Sequence, residues 1–258
     1  MKTKVSNDQP LLSIVVPAYN EERRLPGTLE TIIAYLRAQD YRAELIVVDD
    51  GSSDGTVRVV ERYMDSYPGL RLIRNDHRGK AYTVRTGVLA AEGQYVIFTD
   101  ADLAVPIEET GKALAALMDQ HDVVIGSREA LGARRYNEPF YRHLMGRVFN
   151  FIVRLLALPD LQDTQCGFKG LRHDVAQDLF QRLRLYGADA GTIKGGAVTG
   201  FDVELLFLAR KRGYSIKEVP VQWYYGSHAK VNPLRDSWRN FKDVLRVRLN
   251  DWRGKYDE

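Results

Sequence analysis

Short runs of consecutive apolar residues alternate with stretches of helical periodicity through the first half of the chain. Leu12 to Pro17 reads as a buried strand, followed by a helix over Glu21 to Arg37. Glu44 to Val48 is predicted as a second strand, with a helix over Thr56 to Tyr67 that Asp54-Gly55 would cap. A third strand (Leu70 to Asn75), a helix (Lys80 to Ala91), a fourth strand (Tyr95 to Thr99), a helix (Pro106 to Met118) and a fifth strand (Asp122 to Gly126) continue the rhythm. Such strand–helix alternation, with strands apolar throughout, predicts an open, mostly parallel sheet flanked by helices.

After Ser127 the rhythm changes. Glu138 to Leu158 is helical in pattern and rich in aromatics, Asp163 to Leu171 reads as a strand returning to the sheet, and a helix starts near Asp174. Tyr186 to Gly200 is Gly/Ala-rich with little periodicity and is expected to be a loop. Phe201 to Arg212 reads as a helix and Ser215 to Trp223 as a strand. A basic amphipathic helix, Pro233 to Trp252, closes the chain within a C-terminal segment 233–258. With residues 1–10 as an N-terminal tail and no repeat or linker, residues 1–258 read as one domain.

Composition changes this picture little. At 258 residues, with 45% hydrophobic and 28% charged, the chain buries a sizeable core without staples. A net charge of +3 does not argue for nucleic acid as a partner. The single cysteine, Cys166, excludes an internal disulfide and fits a reducing, cytoplasmic compartment. Leu11 to Val16 is too short for a signal-peptide core, and Phe149 to Leu158 is broken by Arg154, so no secretory or membrane-spanning segment is expected.

The candidate chemistry sits where strands should end. Asp49-Asp50-Gly51-Ser52-Ser53-Asp54-Gly55 follows the second strand and Asp100-Ala101-Asp102 the fourth, the end at which open α/β sheets bind ligands. Asp100 and Asp102 can converge on one Mg²⁺ or Mn²⁺, which in turn would neutralise a diphosphate leaving group; the plainer reading is a turn or helix cap. Asp49 and Asp50 are placed to accept hydrogen bonds from a nucleoside, above a turn whose amides are expected to be exposed. Pro17-Ala18-Tyr19-Asn20-Glu21 ends the first strand. There Tyr19 would stack on a base and Glu21 bind polar edges, or Asn20 simply cap the helix. Arg78-Gly79-Lys80 puts Lys80 at a helix start where a diphosphate could sit.

Val16-Pro17-Ala18-Tyr19-Asn20-Glu21, Val48-Asp49-Asp50-Gly51-Ser52 and Asp100-Ala101-Asp102, in that order, resemble family 2 glycosyltransferases with the GT-A fold. The resemblance implies a nucleotide-sugar donor, a divalent metal held by Asp100 and Asp102, and inversion at the anomeric carbon. Pro17, Tyr19, Glu21, Asp49, Asp50, Lys80, Asp100 and Ala101 then form the donor side. Gly126-Ser127-Arg128, Asp163 to Lys169, Phe201 to Leu206 and Val219 to Trp223 look like the branch containing dolichyl-phosphate glucosyltransferases, with dolichyl-phosphate mannose synthases as near relatives. In the mannose synthases a metal-binding glutamine stands two residues past the Asp-x-Asp; Ala104 here favours the glucosyl branch. UDP-glucose is then the expected donor and a dolichyl or polyprenyl phosphate the acceptor.

A phosphate acceptor suits the residues. Its second pKa near ~6 makes it an anionic nucleophile at neutral pH, needing cations rather than a base. Arg128 and Lys169, with His228 and Lys230, are the candidate phosphate contacts. A hydroxyl acceptor would need a base, for which Asp202 and Glu204 are the candidates; two residues apart on a helix, at most one faces a pocket. Phe140 to Leu156 carries Tyr141, Leu144, Val148, Ile152 and Leu155 beside His143, Arg147, Asn150 and Arg154. The C-terminal helix carries Trp238, Phe241, Leu245, Leu249 and Trp252 beside Arg235, Arg239, Lys242 and Arg246. Basic and aromatic stripes side by side suit a peripheral protein on an anionic membrane surface; the competing reading packs them on the domain or on a second subunit, as a homo-oligomer. Outside this enzyme class the rival is a noncatalytic nucleotide-sugar sensor. A nucleotidyltransferase is disfavoured by the lack of a Gly-rich N-terminal loop for a triphosphate.

Overall fold

The computed structural model describes residues 9–187, 191–192, 200–226 and 233–257. The expected loop over Tyr186 to Gly200 therefore lies largely outside the described residues, as do His228 and Lys230. The elements are β1 (Leu12–Ala18), α1 (Leu25–Arg37), β2 (Ala43–Asp49), α2 (Thr56–Met64), β3 (Leu70–Arg74), α3 (Lys80–Leu89) and β4 (Tyr95–Phe98). They continue with a 3₁₀ turn (Ile107–Glu109), α4 (Thr110–Met118), β5 (Val123–Ser127), β6 (Arg134–Tyr136) and α5 (Phe140–Leu156). The last are β7 (Lys169–Arg172), α6 (His173–Arg182), α7 (Phe201–Lys211), β8 (Ile216–Pro220), β9 (Gln222–Tyr224) and α8 (Pro233–Trp252).

Seven strands form one sheet in the order β3-β2-β1-β4-β7-β5-β8, and β6 pairs with β9 in a separate ribbon. All pairings in the large sheet are parallel except those of β7, which runs antiparallel between β4 and β5. Both faces of the sheet are dry, which is why the strands are apolar at consecutive positions. In β1 and β2, Val15, Ile46 and Val48 face the cluster built on α3, α6 and α7, while Ile14, Val16, Leu45 and Val47 face the cluster under α1 and α4.

Chain order reverses between β1 and β4: β2 and β3 lie to one side of β1 and β4 to the other. A crevice opens at the carboxyl ends of strands where such a reversal occurs. Pro17 fits this geometry. Pairing of β1 with β4 ends at Val15–Phe98, whereas pairing with β2 runs on through Pro17–Val48 to Ala18–Asp49. Proline, which lacks an N–H, therefore stands past the end of β4, where a central strand tolerates it.

Two expectations are corrected. The first helix begins at Leu25 rather than Glu21, with Arg24 at its N-cap and a proline in its first turn. The returning strand is confined to Lys169–Arg172: before it, the Asp163 carboxylate takes the Arg128 and Gln165 N–H groups, and the chain rejoins β5 only at Phe168, whose carbonyl accepts the Gly126 N–H.

Candidate active site

Four chain segments meet at the crevice, and side-chain hydrogen bonds sew them together. After β1, Asn20 takes the left-handed conformation (φ 52°) and its side-chain Oδ1 accepts the Ser53 N–H at 2.9 Å. The Asn20 N–H donates to Ser52 Oγ and the Glu21 N–H to Thr56 Oγ1. The Ser52, Gly55 and Thr56 amides go to Asp49, Glu22 and Asp54. Thus the amides expected to line an open turn after β2 are largely consumed in bracing it, and Asn20 braces this loop instead of capping α1. Asp54 does cap α2 from outside, through the Thr56 N–H and hydroxyl.

Asp49 and Asp50 diverge in role. Asp50 is buried; Oδ1 accepts the Arg78 N–H at 2.9 Å, and Oδ2 accepts the Gly79 N–H at 2.9 Å and faces His77 Nδ1 at 2.7 Å. Its carboxylate organises the turn into α3 rather than lying open to a nucleoside. Gly51 (φ 72°) permits this close approach, since a Cβ there would strike the His77 backbone. Asp49 is also buried, and while Oδ2 accepts the Ser52 N–H, Oδ1 has no partner among the described residues. Tyr19 stacks on His77 with 3.9 Å between ring centroids and an interplanar angle of 4°. His77 is a site residue that the sequence reading missed; its position at the end of β3, next to β2, was the available signal.

Beyond β4, the Leu103 N–H bonds the Asp100 carbonyl and Leu103 adopts φ 47°, closing a tight turn. Ala101 is buried in the cluster under α1 and α4, and its carbonyl accepts the Thr28 hydroxyl at 2.6 Å, so it anchors the turn to α1 rather than lining the crevice. Asp102 is exposed, with Oδ1 accepting the Ala104 N–H. Asp100 lies 2.5 Å from Lys80 Nζ at the start of α3. Gly167 passes so close that a Cβ would run into the Asp100 carboxylate. Desolvation, then the neighbouring Asp100 charge, push the Asp102 carboxyl above its usual range. Desolvation opposes the charge on Lys80, but Asp100, Asp202 and Asp102 outweigh it and raise its pKa. The site is therefore a set of mutually repelling carboxylates gathered around one lysine whose charge they stabilise. Two adjacent carboxylates are hard-oxygen donors that suit Mg²⁺ or Mn²⁺. Among the described residues no group of three or more His, Cys, Asp or Glu converges as a metal cluster. Arg24, salt-bridged to Glu21 at 2.8 Å and one turn before Thr28, lies on this side of the crevice.

The expected phosphate contacts are revised. Lys169 is fully buried in β7, its ammonium held 2.5 Å from both Asp202 Oδ1 and the Cys166 carbonyl. Asp202 accordingly neither caps α7 nor stands free as a base; it neutralises Lys169. Arg128 grips the buried Asp163 through Nε (2.7 Å) and Nη2 (2.8 Å). Although burial opposes ionisation, Arg128 drives the Asp163 carboxyl down to about 2. Asp163 belongs to the Asp163 to Lys169 motif, yet only the fold shows that it engages Arg128 through Nε and Nη2. Glu204 points away, accepting the Arg184 and Leu185 N–H groups and the Tyr256 hydroxyl. Burial raises its pKa, and it is withdrawn as a candidate base.

The comparisons with known proteins agree with this geometry. Residues 13–180 match the description "Glycosyl transferase family 2". A dolichyl-phosphate beta-glucosyltransferase of Dictyostelium discoideum is 32% identical over 95% of this chain and 77% of its own length. One of Mus musculus is 34% identical over 92% and 75%. Among solved structures, glucosyl-3-phosphoglycerate synthase of Mycobacterium tuberculosis with Mg²⁺ and UDP superposes with a TM-score of 0.61 at 20% identity, covering 93% of this chain and 79% of that one. A mannosyltransferase of Pyrobaculum calidifontis with GDP-Man and Mn²⁺ gives 0.55 at 21%, covering 95% and 70%. With its GT-A sheet, its acidic pairs at the crevice and these relatives, the chain belongs to glycosyl transferase family 2 and is a glycosyltransferase.

Proposed function

We propose that the protein transfers glucose, with inversion, from UDP-glucose to a dolichyl or polyprenyl phosphate at a membrane surface. The observation that carries this is the Asp100–Asp102 turn at the switch-point crevice, 2.5 Å from Lys80. Asp100 and Asp102 would hold a divalent cation, which when bound neutralises charge on the departing UDP. Lys80 adds a second positive charge beside the diphosphate. Asp49 Oδ1, buried and unpartnered among the described residues, is the acceptor offered to the nucleoside, with Tyr19, Glu21 and Pro17 along the rim. Arg128, oriented by Asp163, keeps Nη1 for an oxygen of the acceptor phosphate. The relatives named as dolichyl-phosphate glucosyltransferases support this acceptor, and the neighbours carrying UDP with Mg²⁺ or GDP-Man with Mn²⁺ support the donor class and the metal.

The membrane reading rests on two helices that bury one apolar face, Phe149 and Val153 on α5 and Val244 and Val247 on α8, and turn a second apolar face outward. On α5, Phe140, Leu144, Phe151 and Leu155 are exposed while Asn150 is buried. On α8, Trp238, Leu249 and Trp252 are exposed while Asn240 and Asp243 are buried. Large apolar side chains turned outward, with Arg147, Arg154, Lys242 and Arg246 between them, fit the interface of an anionic leaflet. Among the described residues no helix is long and apolar enough to cross a membrane. Incorporation of β8, from residues 216–220, into the same sheet as β1 supports reading the chain as one domain.

The test is product formation from UDP-glucose or GDP-mannose with a short polyprenyl phosphate, with Mn²⁺ or with EDTA. Lipid-phosphate glucose formed only with metal is the expected result. Turnover only with a hydroxyl acceptor would overturn the lipid reading, and donor binding without turnover on any acceptor would overturn the catalytic one.

A further inference from the structure

Residues 163–169 cross the mouth of the crevice in an alternating pattern. Cys166 and Phe168 pack inward, against Gly126 in the cluster under α1 and α4. The odd-numbered residues each meet a group of the candidate site. Asp163 holds Arg128, Gly167 lies against the Asp100 carboxylate, and Lys169 pairs with Asp202. Gln165 is the fourth in this series.

Gln165 is held at two points. Its N–H donates to Asp163 Oδ1 at 3.2 Å, and its Oε1 accepts from Asn240 Nδ2 on α8 at 3.5 Å. Its remaining donor, Nε2, is buried without a partner among the described residues, and so is the acceptor Asn240 Oδ1. Leaving a buried N–H or carbonyl unpaired costs on the order of 1–3 kcal/mol. Two such atoms on one pair of contacting side chains, one a donor and one an acceptor, call for a partner that both accepts and donates. A hydroxyl group does so through a single oxygen, whereas a fully ionised phosphate only accepts and would leave Asn240 Oδ1 unsatisfied. The position matches, since Gln165 stands two residues from the glycine that touches Asp100.

We propose that Gln165, positioned by Asn240, is a specificity-determining residue that donates a hydrogen bond to one hydroxyl of the transferred hexose, whose proton in turn goes to Asn240 Oδ1. A site built to bond a hydroxyl rejects the analogue that lacks it, because its own polar groups are then stranded. This inference rests on the glycosyl-transfer reading above.

The experiment compares kcat/KM for UDP-glucose and its 2-, 3-, 4- and 6-deoxy analogues, with polyprenyl phosphate as acceptor, in the wild-type protein, Gln165→Met and Asn240→Ala. Wild type should lose about 10-fold or more with one analogue. For that analogue Gln165→Met should show no further penalty relative to UDP-glucose, while the other analogues keep their wild-type ratios. Asn240→Ala should show the same selective loss of discrimination, which keeps the test open if Gln165→Met does not fold. Equal loss with all five donors would make Gln165 merely structural and overturn the proposal. So would wild-type indifference to every deoxy position, which would leave only an ordered water between the two amides. A raised KM for polyprenyl phosphate with an unchanged donor profile would assign Gln165 to the acceptor and also overturn it. Inactivity of the wild type with every nucleotide sugar would instead defeat the functional reading, and this inference with it.

Discussion

Replacing Asp202 with alanine separates a structural ion pair from a free catalytic base. In the folded protein Lys169 has 0% of its side chain exposed and Asp202 10%, with 2.5 Å between Nζ and Oδ1. Asp202→Ala leaves a buried ammonium with the Cys166 carbonyl as its remaining hydrogen-bond partner among the described residues and the Phe98 ring 5.8 Å away. Stranding one member of a buried pair costs about 3–5 kcal/mol. With 258 residues and an unfolding entropy of about 2.1 cal/mol/K per residue, the total is about 0.5 kcal/mol/K, so Tm should fall by about 6–10 °C. Removing both charges, in Asp202→Ala/Lys169→Met, should recover most of that loss, because a buried pair exchanged for apolar groups is near neutral. Thermal unfolding of the two single variants and the double variant at one pH and salt concentration completes the cycle. A Tm for Asp202→Ala within about 1 °C of wild type would refute the reasoning and return Asp202 to the role of a base. Equal destabilisation of the single and double variants would refute it as well.

Four further outcomes follow from the geometry. Asp102→Asn should weaken Mn²⁺-dependent UDP binding by about 10-fold or more in calorimetry while leaving Tm near wild type, since the side chain is exposed. The folded-state pKa of Asp163, about 2, lies below its unfolded value of about 3.9, so the pair with Arg128 contributes its stability above about pH 4 and loses it as pH falls towards about 2. The stability gap between wild type and Asp163→Asn, about 2 kcal/mol in unfolding titrations, should therefore hold from pH 7 to 5 and close below about pH 4. Cys166 is buried and desolvation pushes its thiol up to about 11, so a thiol reagent at pH 8 should label it only after denaturation. Leu155→Asp/Trp252→Asp alters side chains that are 73% and 75% exposed; flotation with anionic vesicles should drop several-fold while Tm stays within about 2 °C.

The sheet and the acidic strand ends were legible because they depend on short-range pattern. Doubly buried strands must be apolar at consecutive positions, and the helices between them carry periodicity, so β1 to β5 and α8 were placed within a few residues. Asp49 and Asp100–Asp102 could be located because a ligand at an open sheet sits at the carboxyl ends of strands. The partners of the charges could not be read in the same way. Arg128 and Lys169 look alike in sequence to free phosphate contacts, but Asp163 and Asp202, 35 and 33 residues further on, neutralise them. Asp202 and Glu204 look equivalent until α7 turns one toward Lys169 and the other toward Arg184 and Tyr256. Nor does the sequence show that Asp50 serves the turn at His77–Gly79, or that the ribbon of β6 and β9 exists, since each joins segments distant in the chain. The sequence by itself determined which charges the protein owns and which strands carry them to one edge of the sheet. Only the tertiary structure decided which of those charges are already paired, because pairing depends on distances between segments that local pattern does not encode.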